Sequence, residues 1–539
     1  MEVGAVAICF LHSYAHPEHE QQAAARLHEL APNLAITISS DITREWREFE
    51  RSSTAVLNAY VQPRTRAYLS RLERRLEVAG VSGKRFVMTS NGGTASFGHA
   101  LQQPIQLVES GPAGGVIGAQ TLGSRIGESN IITLDIGGTT AKCSVIVGGH
   151  LSIAGDYRLE WTPLSPGYPL KIPVIDIVEI GAGGGSIVWF DRGGALRIGP
   201  KSTGTDPGPA CYGLGGSDPT ITDAMVLAGY IPAGLIPGSG LSIDPALARQ
   251  AMLPVARRLD VSLDQAVLGV LELFAALTVD AMRLVSVRRG HDPRDFTLVA
   301  FGGGGPLHAA VLGQELGVRQ VLVPQMPATF SAWGMLHADP RVDLTRTQVS
   351  RLDQTTRESR EQTFAALEHD ARTSLLDQGF DTSTIAPPVR ALDMRYQGQE
   401  HTVSVFVGPE DGHDDALVKI FNTEHKRLYT FALEDTAVEL VNFRVTATAK
   451  LRSEDVVHRD LPPGISNQEA HTSEVLMGGS VERLPASVYQ RSDLPAGFRV
   501  NGPAMVREAA TTTVVPPGFQ IEVDRMGNLV LTSQSLPGR

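Results

Sequence analysis

The chain has 539 residues, more than one hydrophobic core usually serves, so its length predicts two or three domains. Hydrophobic residues make up 42% and charged residues 19%, which is ordinary for a soluble globular protein. The net charge of −11 argues against a nucleic-acid partner or an anionic membrane, because both bind basic surfaces.

The cysteines and the apolar runs restrict the class of protein further. Three cysteines are too few and too scattered for a disulfide framework or a zinc site, which predicts a reducing, cytoplasmic setting. No apolar run reaches about 18 residues, so the sequence predicts no transmembrane helix.

Strands and helices alternate along the first 345 residues, which predicts an α/β fold. The helix over 262–288 is predicted to be the longest, and Pro63 breaks or starts an earlier one. The predicted strands are 4–11, 86–93, 131–134, 143–147, 296–301 and 321–324, and the predicted helices are 17–30, 53–79, 220–229, 262–288 and 306–316.

The pattern changes after residue 345. A charged helix is predicted over 355–380, and strand-like segments follow from about residue 388 to the C-terminal end of the chain. Residues 453–490 carry few signals and are predicted to form loops. The second part of the chain is therefore predicted to be a β-rich domain preceded by a helix.

Glycine is the most informative residue type. The chain has 55 glycines in clusters without a fixed period, which excludes a repeat architecture and predicts loops whose backbone closely approaches another group. The clusters lie at residues 91–93, 110–115, 136–138, 181–185, 213–216 and 301–305.

The first chemically suggestive cluster is the segment IITLDIGGTTAKCSVIV at residues 131–147. Glycines leave backbone N–H groups free to meet phosphate oxygens, the threonines add hydroxyl donors, and Asp135 at the strand end could hold a hydrated Mg²⁺. The same pattern also fits a tight hairpin capped by an acid, since a single short motif is weak evidence.

A second glycine loop strengthens the nucleotide interpretation. The segment FTLVAFGGGGPLHA, residues 296–309, reads as a strand, a glycine loop and a helix start, and a helix N-terminus attracts anions. It is neither a Walker A loop nor a G-x-G-x-x-G dinucleotide loop. The two segments together resemble the actin, hexokinase and Hsp70 class of ribonuclease H-like ATPases, in which the hairpin binds phosphate and the later loop supports adenosine.

Several other side chains have two interpretations. Asp176 and Glu179 lead a strand into the glycine loop at 181–185, where a carboxylate could bind Mg²⁺ or act as a general base. Cys211 could be a nucleophile or a buried, inert thiol, and packing is favoured for His308. Asp223 is predicted to cap its helix.

The segment HSYAHPEHE, residues 12–20, has a metal-like composition, although a helix start explains it as well.

Collinear motifs along nearly the whole chain resemble the hydantoinase A/5-oxoprolinase family. The string DPGPACYG at 206–213 is the most specific of them. The others are SNGG at 90–93, ESGPAGGVIGA at 109–119, LDIGGTTAKCSV at 134–145, IGAGGGSI at 180–187, TITDA at 220–224, RRGHDPRDFTLVAFGGGGPLHA at 288–309, RYQGQEHTV at 395–403 and GPAMVREAATTTVVPPG at 502–518.

The resemblance implies ATP-dependent opening of a cyclic amide such as a hydantoin, an N-methylhydantoin or 5-oxoproline. ATP would phosphorylate the amide oxygen, because the resonance-stabilised amide is a poor electrophile and the phosphate ester is a better one. The resemblance also implies a second, hydantoinase B-type subunit. A sister branch of the family provides acetone carboxylase subunits, which activate their substrate with ATP, so that activity is the alternative.

The resemblance carries site residues onto this sequence. By this resemblance Asp135 would bind Mg²⁺ and act in catalysis. Asp176 and Glu179 are further candidate catalytic residues because of their position at a strand end beside a glycine loop. Lys142 could point toward the phosphates or away from them, because side chains alternate along a strand. The expected ATP-binding residues are Gly137, Gly138, Thr139, Thr140, Lys142, Gly183, Gly184, Gly185, Ser186, Gly302, Gly303, Gly304 and Gly305.

The sequence departs from the family pattern at its beginning. Family members usually begin upstream with another Asp-x-Gly-Gly-Thr hairpin, so residues 1–52 are expected to be a remnant of the N-terminal domain. Residues 53–345 are then the ATPase domain and 346–539 the β-rich C-terminal domain. A truncated gene model, a chain split over two genes and a non-catalytic nucleotide-binding or assembly subunit remain open as explanations.

Overall fold

The computed structural model describes residues 3–154, 157–160, 165–236, 240–408, 411–451, 470–477, 479 and 481–534. Within these ranges the helices α1 to α12 are, in chain order, Glu18–Leu30, Ser39–Ile42, Glu48–Val78, Phe97–Gln102, Ser110–Ile126, Ile221–Ala228, Pro245–Leu259, Leu263–Val285, Gly305–Leu316, Phe330–Met335, Arg357–Asp377 and Asp414–Tyr429. None of these helices combines the length and the apolar composition needed to cross a bilayer.

The strands of the described ranges are numbered β1 to β29. Strands β1 to β14 are Ala5–Ile8, Ala35–Ile38, Phe86–Met88, Thr94–Ser96, Ile131–Ile136, Ala141–Val147, His150–Leu151, Ile153–Ala154, Tyr157–Leu159, Tyr168–Leu170, Val174–Ile175, Val178–Ile180, Ser186–Phe190 and Leu196–Ser202. Strands β15 to β29 are Gly234–Leu235, Ser242–Ile243, Thr297–Phe301, Gln320–Val323, Arg341–Arg351, Val389–Tyr396, Val403–Val407, Val438–Thr448, His471–Leu476, Arg483–Gln490, Arg499–Asn501, Ala504–Arg507, Thr512–Val515, Phe519–Val523 and Leu529–Ser533.

The chain folds into two compact units, each built from segments that are distant in sequence. The first unit contains residues 1–113, 153–175 and 338–453, and the second contains 114–152, 176–337 and 454–539. The β-rich part predicted after residue 345 is therefore shared between the units. The boundaries predicted at residues 52 and 345 follow chain order and stay a prediction.

The second unit is built on a mixed sheet of nine strands. The strand order is β12-β6-β5-β17-β18-β29-β28-β25, and β7 pairs with β6. Strand β17 runs parallel to both β5 and β18, whereas β5 and β6 form an antiparallel hairpin. The C-terminal strands β28 and β29 join this sheet through β18, so the end of the chain completes the α/β core.

Buried helices cover this sheet. Helix α8 begins with a capping box in which Ser262 and Gln265 exchange side-chain-to-backbone hydrogen bonds, and more than half of its residues are buried. Its apolar side chains belong to the same core cluster as Leu134 of β5 and Leu298 of β17. The core therefore fixes the ends of β5 and β17, from which the glycine loops emerge.

The first unit contains an antiparallel sheet of order β19-β22-β20-β21. Helix α11 packs on β19 and β22, and Phe364, Phe443 and Leu367 are buried in the core beneath it. A separate parallel pair, β1 with β2, packs against helix α3. Strand β19 lies at the edge of its sheet, and this position matters for a cavity described below.

Most predicted elements are confirmed, including the hairpin at 131–147 and the strands β17 and β18. Some expectations are wrong. Helix α3 is the longest of the described helices and runs through Pro63 without ending. The segment predicted as loops contains β23 and β24, while residues 452–469 lie outside the described ranges. Helices α7 and α12 were not predicted.

The glycine cluster at 110–115 is part of helix α5 and not a loop. A Cβ on Gly115 would lie 2.6 Å from Cζ of Phe301, and a Cβ on Gly114 would lie 2.8 Å from the Ser331 carbonyl oxygen. The close backbone approach expected from the glycines is therefore real, but the approaching groups are protein side chains and backbone.

Candidate functional site

The carboxyl ends of two parallel strands bring the two principal glycine loops together. Asp135 of β5 is the register partner of Phe301 of β17, so the hairpin turn at 137–140 and the loop at 302–305 start side by side. The Gly304 N–H donates to the Ile136 carbonyl oxygen at 2.8 Å. Because β5 and β17 are parallel neighbours, both loops lie at the carboxyl ends of the strands, where α/β proteins bind ligands.

Gly302 has no room for a side chain. Its φ of +78° lies in the left-handed region, and a Cβ there would overlap Oδ1 of Asp135 and lie 2.6 Å from the Ile136 carbonyl oxygen. A Cβ on Gly304 would lie 2.6 Å from Cγ2 of Ile136. Both glycines are required by contact with β5, which leaves the Asp135 carboxyl against bare backbone.

Three charged side chains form a row across three neighbouring strands. Lys142 is the register partner of both Asp135 and Glu179, and directly opposed residues point to the same face of a sheet. The Lys142 ammonium lies 3.5 Å from a Glu179 carboxylate oxygen and 3.3 Å from the Thr140 hydroxyl. The orientation of Lys142, open from the sequence, is thus the one that places it beside Asp135.

The surroundings of the Asp135 carboxyl disfavour its charged form. Burial raises its pKa above the ordinary value, and the nearby Lys142 ammonium offsets part of that rise. No N–H or O–H group of the described residues donates a hydrogen bond to it. A desolvated carboxyl without protein donors at a loop edge is typical of a functional site rather than a structural one.

The third glycine segment, at 181–185, holds the hairpin turn by backbone hydrogen bonds. The N–H groups of Gly184 and Gly185 donate to the carbonyl oxygens of Gly137 and Gly138, at 3.0 and 2.5 Å. The Gly183 N–H donates to the Ser186 hydroxyl at 2.8 Å, and the Ser186 N–H donates back to the Gly183 carbonyl oxygen at 3.0 Å. These donors are used inside the chain, so the ATP contacts of this segment stay a prediction.

The sequence did not reveal what holds that third segment in place. The Gly184 carbonyl oxygen accepts from both the N–H and the hydroxyl of Thr222, each at 2.8 Å, at the start of α6. Thr220 and Asp223 form the capping box of that helix, which confirms the predicted cap. The TITDA motif contains the signal for this contact. Thr220 and Asp223 cap the start of α6, and Thr222 between them binds the Gly184 carbonyl oxygen.

Asp223 also links a second motif to the site. Its carboxylate accepts the Cys211 N–H at 2.8 Å, which ties the DPGPACYG string to α6. Cys211 is fully buried, and burial together with the neighbouring Asp223 raises the pKa of its thiol well above the ordinary value. Because the thiolate is disfavoured, the structure supports the inert interpretation of this cysteine.

Asp176 lies in an ion pair. Its carboxylate binds the Arg289 guanidinium and accepts from the Ser152 hydroxyl at 3.4 Å, and its carbonyl oxygen accepts from Ser144 at 2.8 Å. Glu179 faces Lys142, as described above. The catalytic roles of these two acids stay predictions, and the geometry connects Glu179, not Asp176, to Asp135.

The histidine-rich segment near the N-terminal end uses its acid for folding. Burial acts to raise the pKa of Glu20, but hydrogen bonds from the Phe10 and Ser40 N–H groups and from the Ser39 and Ser13 hydroxyls leave it below the ordinary value. Across the described ranges, no group of three or more His, Cys, Asp or Glu side chains could hold a metal ion. The metal interpretation of residues 12–20 therefore has no support.

His308 packs inside the core, as predicted. Its ring lies 4.7 Å from that of Phe274, and complete burial lowers the pKa of the imidazole to about 4. The unfolded chain takes up this proton near its ordinary pKa of 6.5, whereas the folded chain does not. Folding stability is therefore lost as the pH falls from 6.5 toward 4.

We expect His308→Leu to flatten this pH dependence. Between about pH 7 and about pH 5 the wild-type chain should lose about 2 kcal/mol more unfolding free energy than the variant, because only the wild type carries the titrating imidazole. Urea unfolding at several pH values measures the difference. Parallel pH profiles for the two chains would contradict the assignment.

The fold and the site define a mixed α/β protein with a β-rich region and a glycine-loop site at the end of its central parallel strands. The hydantoinase/oxoprolinase family model matches residues 51–344, and the hydantoinase/oxoprolinase C-terminal domain model matches residues 349–532. The chain belongs to the hydantoinase/oxoprolinase family.

Relatives of this chain are named as caprolactamase, acetone carboxylase and 5-oxoprolinase proteins. Caprolactamase subunit alpha of Pseudomonas jessenii is 31% identical over 538 residues, which cover 98% of this chain and 76% of that protein. Acetone carboxylase beta subunit of Xanthobacter autotrophicus is 28% identical over 544 residues, covering 96% and 74%. 5-Oxoprolinase 1 of Arabidopsis thaliana is 28% identical over 561 residues, covering 98% and 42%.

Two solved structures have the same fold. The crystal structure of ATP-dependent caprolactamase from Pseudomonas jessenii matches with a TM-score of 0.88 at 31% identity, over 98% of this chain and 77% of that one. A nucleotide-free structure of acetone carboxylase matches with a TM-score of 0.75 at 26% identity, over 98% and 76%.

Proposed function

We propose that this chain is a subunit of an ATP-dependent hydrolase that opens cyclic amides. The carrying observation is the Asp135 carboxyl, half-buried against bare glycine backbone and without protein donors among the described residues. The likeness to ATP-dependent caprolactamase supports the reaction class. The ring of hydantoin, of an N-methylhydantoin, of 5-oxoproline or of a lactam is the substrate in this proposal.

The hairpin turn has the donors that a polyphosphate needs. Gly138 and Thr139 are exposed, and their N–H groups donate to no other described residue. A Cβ on Gly138 would meet nothing within 4 Å, so the turn faces open space. With the Thr139 hydroxyl and the Lys142 ammonium nearby, these residues fit the triphosphate of ATP.

The acid beside the turn fits a divalent cation. Mg²⁺ prefers carboxylate oxygen and keeps several waters, so a single desolvated carboxylate next to phosphate donors is an adequate ligand set. Asp135 would hold Mg²⁺, and Lys142 would balance phosphate charge. This arrangement is consistent with an actin-like ATPase core, which we include in the proposal together with Gly302 to Gly305 as the adenosine side.

ATP supplies the phosphoryl group that makes the ring amide electrophilic. The chain's own contribution is positional. The hairpin is held by Gly184 and Gly185, so its N–H groups are fixed before a ligand arrives, and fixed donors cost no reorganisation during reaction. Glu179 keeps the Lys142 ammonium beside Asp135, which favours the ionised form of that carboxyl.

The carboxylase branch supplies the second candidate function. Acetone carboxylase beta subunit and its solved structure match nearly the whole chain, at lower identity than the caprolactamase. Since several relatives are named as subunits, we also propose that a second chain, of the hydantoinase B type, completes the enzyme. A cytoplasmic location belongs to the same proposal.

Phosphate release tests these alternatives. The full chain, alone and co-expressed with a B-type partner from its own genome, is assayed with ATP and Mg²⁺ against hydantoin, N-methylhydantoin, 5-oxoproline and caprolactam, and against acetone with bicarbonate. The proposal expects release stimulated by a cyclic amide. Stimulation by acetone and bicarbonate alone would select the carboxylase branch, and no stimulation with the partner present would select a non-catalytic subunit.

A further inference from the structure

The first unit contains a polar cavity that the glycine-loop site does not use. Its volume is about 350 Å³, which is in the range of small-molecule sites. Residues 40–45, which end helix α2 and follow it, line the cavity together with the SNGG segment, the edge strand β19 and helix α11. All of these residues belong to one unit, so the cavity exists independently of how the two units are arranged.

The outer edge of β19, the edge that faces away from β22, has an unpaired stretch of backbone at this cavity. The Thr347 N–H donates outward to the Arg44 carbonyl oxygen at 3.0 Å, and the Asp339 carbonyl oxygen accepts from the Thr94 N–H at 2.9 Å. Alternation in an antiparallel ladder then points the N–H and C=O of Asp343 to the same outer edge. Neither group has a main-chain partner there among the described residues.

The parallel N–H and C=O groups of Asp343 favour an amide in the cis form. The amide of a small ring is held cis, so its C=O and N–H lie side by side and can meet the N–H and C=O of a single strand residue together. An open-chain amide is trans, because the cis form is costly, and presents the two groups on opposite sides. The exposed edge at Asp343 therefore fits a ring amide better than a linear one.

The balanced charge of the side chains around the cavity favours a neutral, hydrogen-bonding ligand. Acidic and basic side chains line it in equal number, and most of them are paired with each other, which leaves no net charge for a triphosphate. The pairs are Arg341 with Asp343 at 2.8 Å, Lys171 with Glu45 at 3.7 Å, and Arg346 with Asp370 at 3.5 Å.

Two buried polar atoms of the lining lack partners within the described ranges. The Ser40 hydroxyl belongs to a residue that is 6% exposed, and no hydrogen-bond partner satisfies it. The Nε of Arg346 is likewise buried and unsatisfied. Buried polar groups are normally hydrogen-bonded, so these atoms mark positions where a bound molecule completes the structure.

We propose that this cavity is the binding site for the cyclic amide, with the ring's C=O and N–H paired to the main chain of Asp343 and its remaining polar atoms bound by Ser40 and Arg346. That the bound ring is also the molecule opened with ATP rests on the proposed function. The binding itself rests only on the geometry of the first unit.

Calorimetry on the full chain tests the proposal without turnover. Hydantoin, pyrrolidone, valerolactam and caprolactam are titrated with and without a non-hydrolysable ATP analogue, beside N-methylcaprolactam and open-chain N-methylacetamide. We expect at least one ring amide to bind at least about tenfold more tightly than the two comparison compounds, which cannot pair both groups. Equal affinity, or no ring amide binding with or without the analogue, would overturn the proposal.

Side-chain variants locate the site. Ser40→Ala and Arg346→Met should each weaken ring-amide binding by about five- to tenfold, because each removes one hydrogen-bond donor. Arg372→Ala changes an exposed arginine of the same helix α11 that does not line the cavity, and it should leave binding unchanged. If all three variants bind equally well, the ring binds elsewhere. A failure of ATP turnover with intact ring binding would refute only the proposed reaction.

Discussion

Asp135→Asn should strongly reduce amide-stimulated phosphate release while leaving the fold at least as stable as before. The wild-type carboxyl is desolvated, has no donor in the described part of the chain and has a raised pKa. Removing its charge therefore relieves an electrostatic cost of folding, so the melting temperature should stay the same or rise. Turnover should fall by about 10² or more, the usual effect of removing one preorganised electrostatic group.

The combination of lost activity and retained stability separates a functional carboxyl from a structural one. Asp280→Asn is the matched control, because that carboxylate is exposed and pairs with Arg283 at 3.2 Å on the surface of α8. The control should change neither turnover nor melting temperature. If Asp135→Asn lowers the melting temperature strongly, or leaves turnover intact, Asp135 does not have the role proposed for it.

The raised pKa of Asp135 should also set the acid limit of the proposed reaction. Mg²⁺ binds the ionised carboxylate, and protonation of that group competes with the metal. The acid limb of kcat/KM should therefore lie above the ordinary carboxyl range of about 4, and more Mg²⁺ should move it to lower pH. An acid limb that does not respond to Mg²⁺ would assign it to a different group.

Gly302→Ala should strongly destabilise the loop at 302–305. The new Cβ would overlap Oδ1 of Asp135 and lie 2.6 Å from the Ile136 carbonyl oxygen, and the residue has a φ of +78°. Since the backbone of β5 and the half-buried Asp135 side chain cannot yield easily, we expect a loss of about 2–4 kcal/mol in unfolding free energy. Binding of an ATP analogue should fall with it.

Gly317→Ala controls for backbone strain alone. Gly317 has nearly the same φ, +79°, but a Cβ there would meet nothing within 4 Å. That variant should lose only about 1 kcal/mol and keep nucleotide binding. The difference between the two variants measures the contact between the loop and β5. Equal losses would mean that Gly302 is required only for its φ.

Much of the site could be read from the chain because its residues are local in sequence. The hairpin at 131–147 and the strand, loop and helix at 296–309 each fold from short-range patterns, and the capping box of Thr220 and Asp223 was visible as a motif. The collinear glycine motifs gave the family, which the family models and relatives confirm.

Other features depend on contacts between distant segments, which no local pattern encodes. The glycines of helix α5 lie against the Phe301 ring of β17 and the Ser331 backbone of α10, and Pro63 is tolerated inside α3. The N–H donors of Gly184 and Gly185 are used by the hairpin, a pairing that appears only when the two segments meet.

The sequence by itself determined the family, the alternation of strands and helices, and the acid and glycines of the candidate site. Tertiary structure decided what those residues face. Parallel pairing of β5 with β17 placed Asp135 against Gly302, and strand register placed Lys142 on the same face of the sheet as Asp135. The outer edge of β19 lines the polar cavity of the first unit. Composition and periodicity fix which local element forms, whereas register and burial are set by long-range packing.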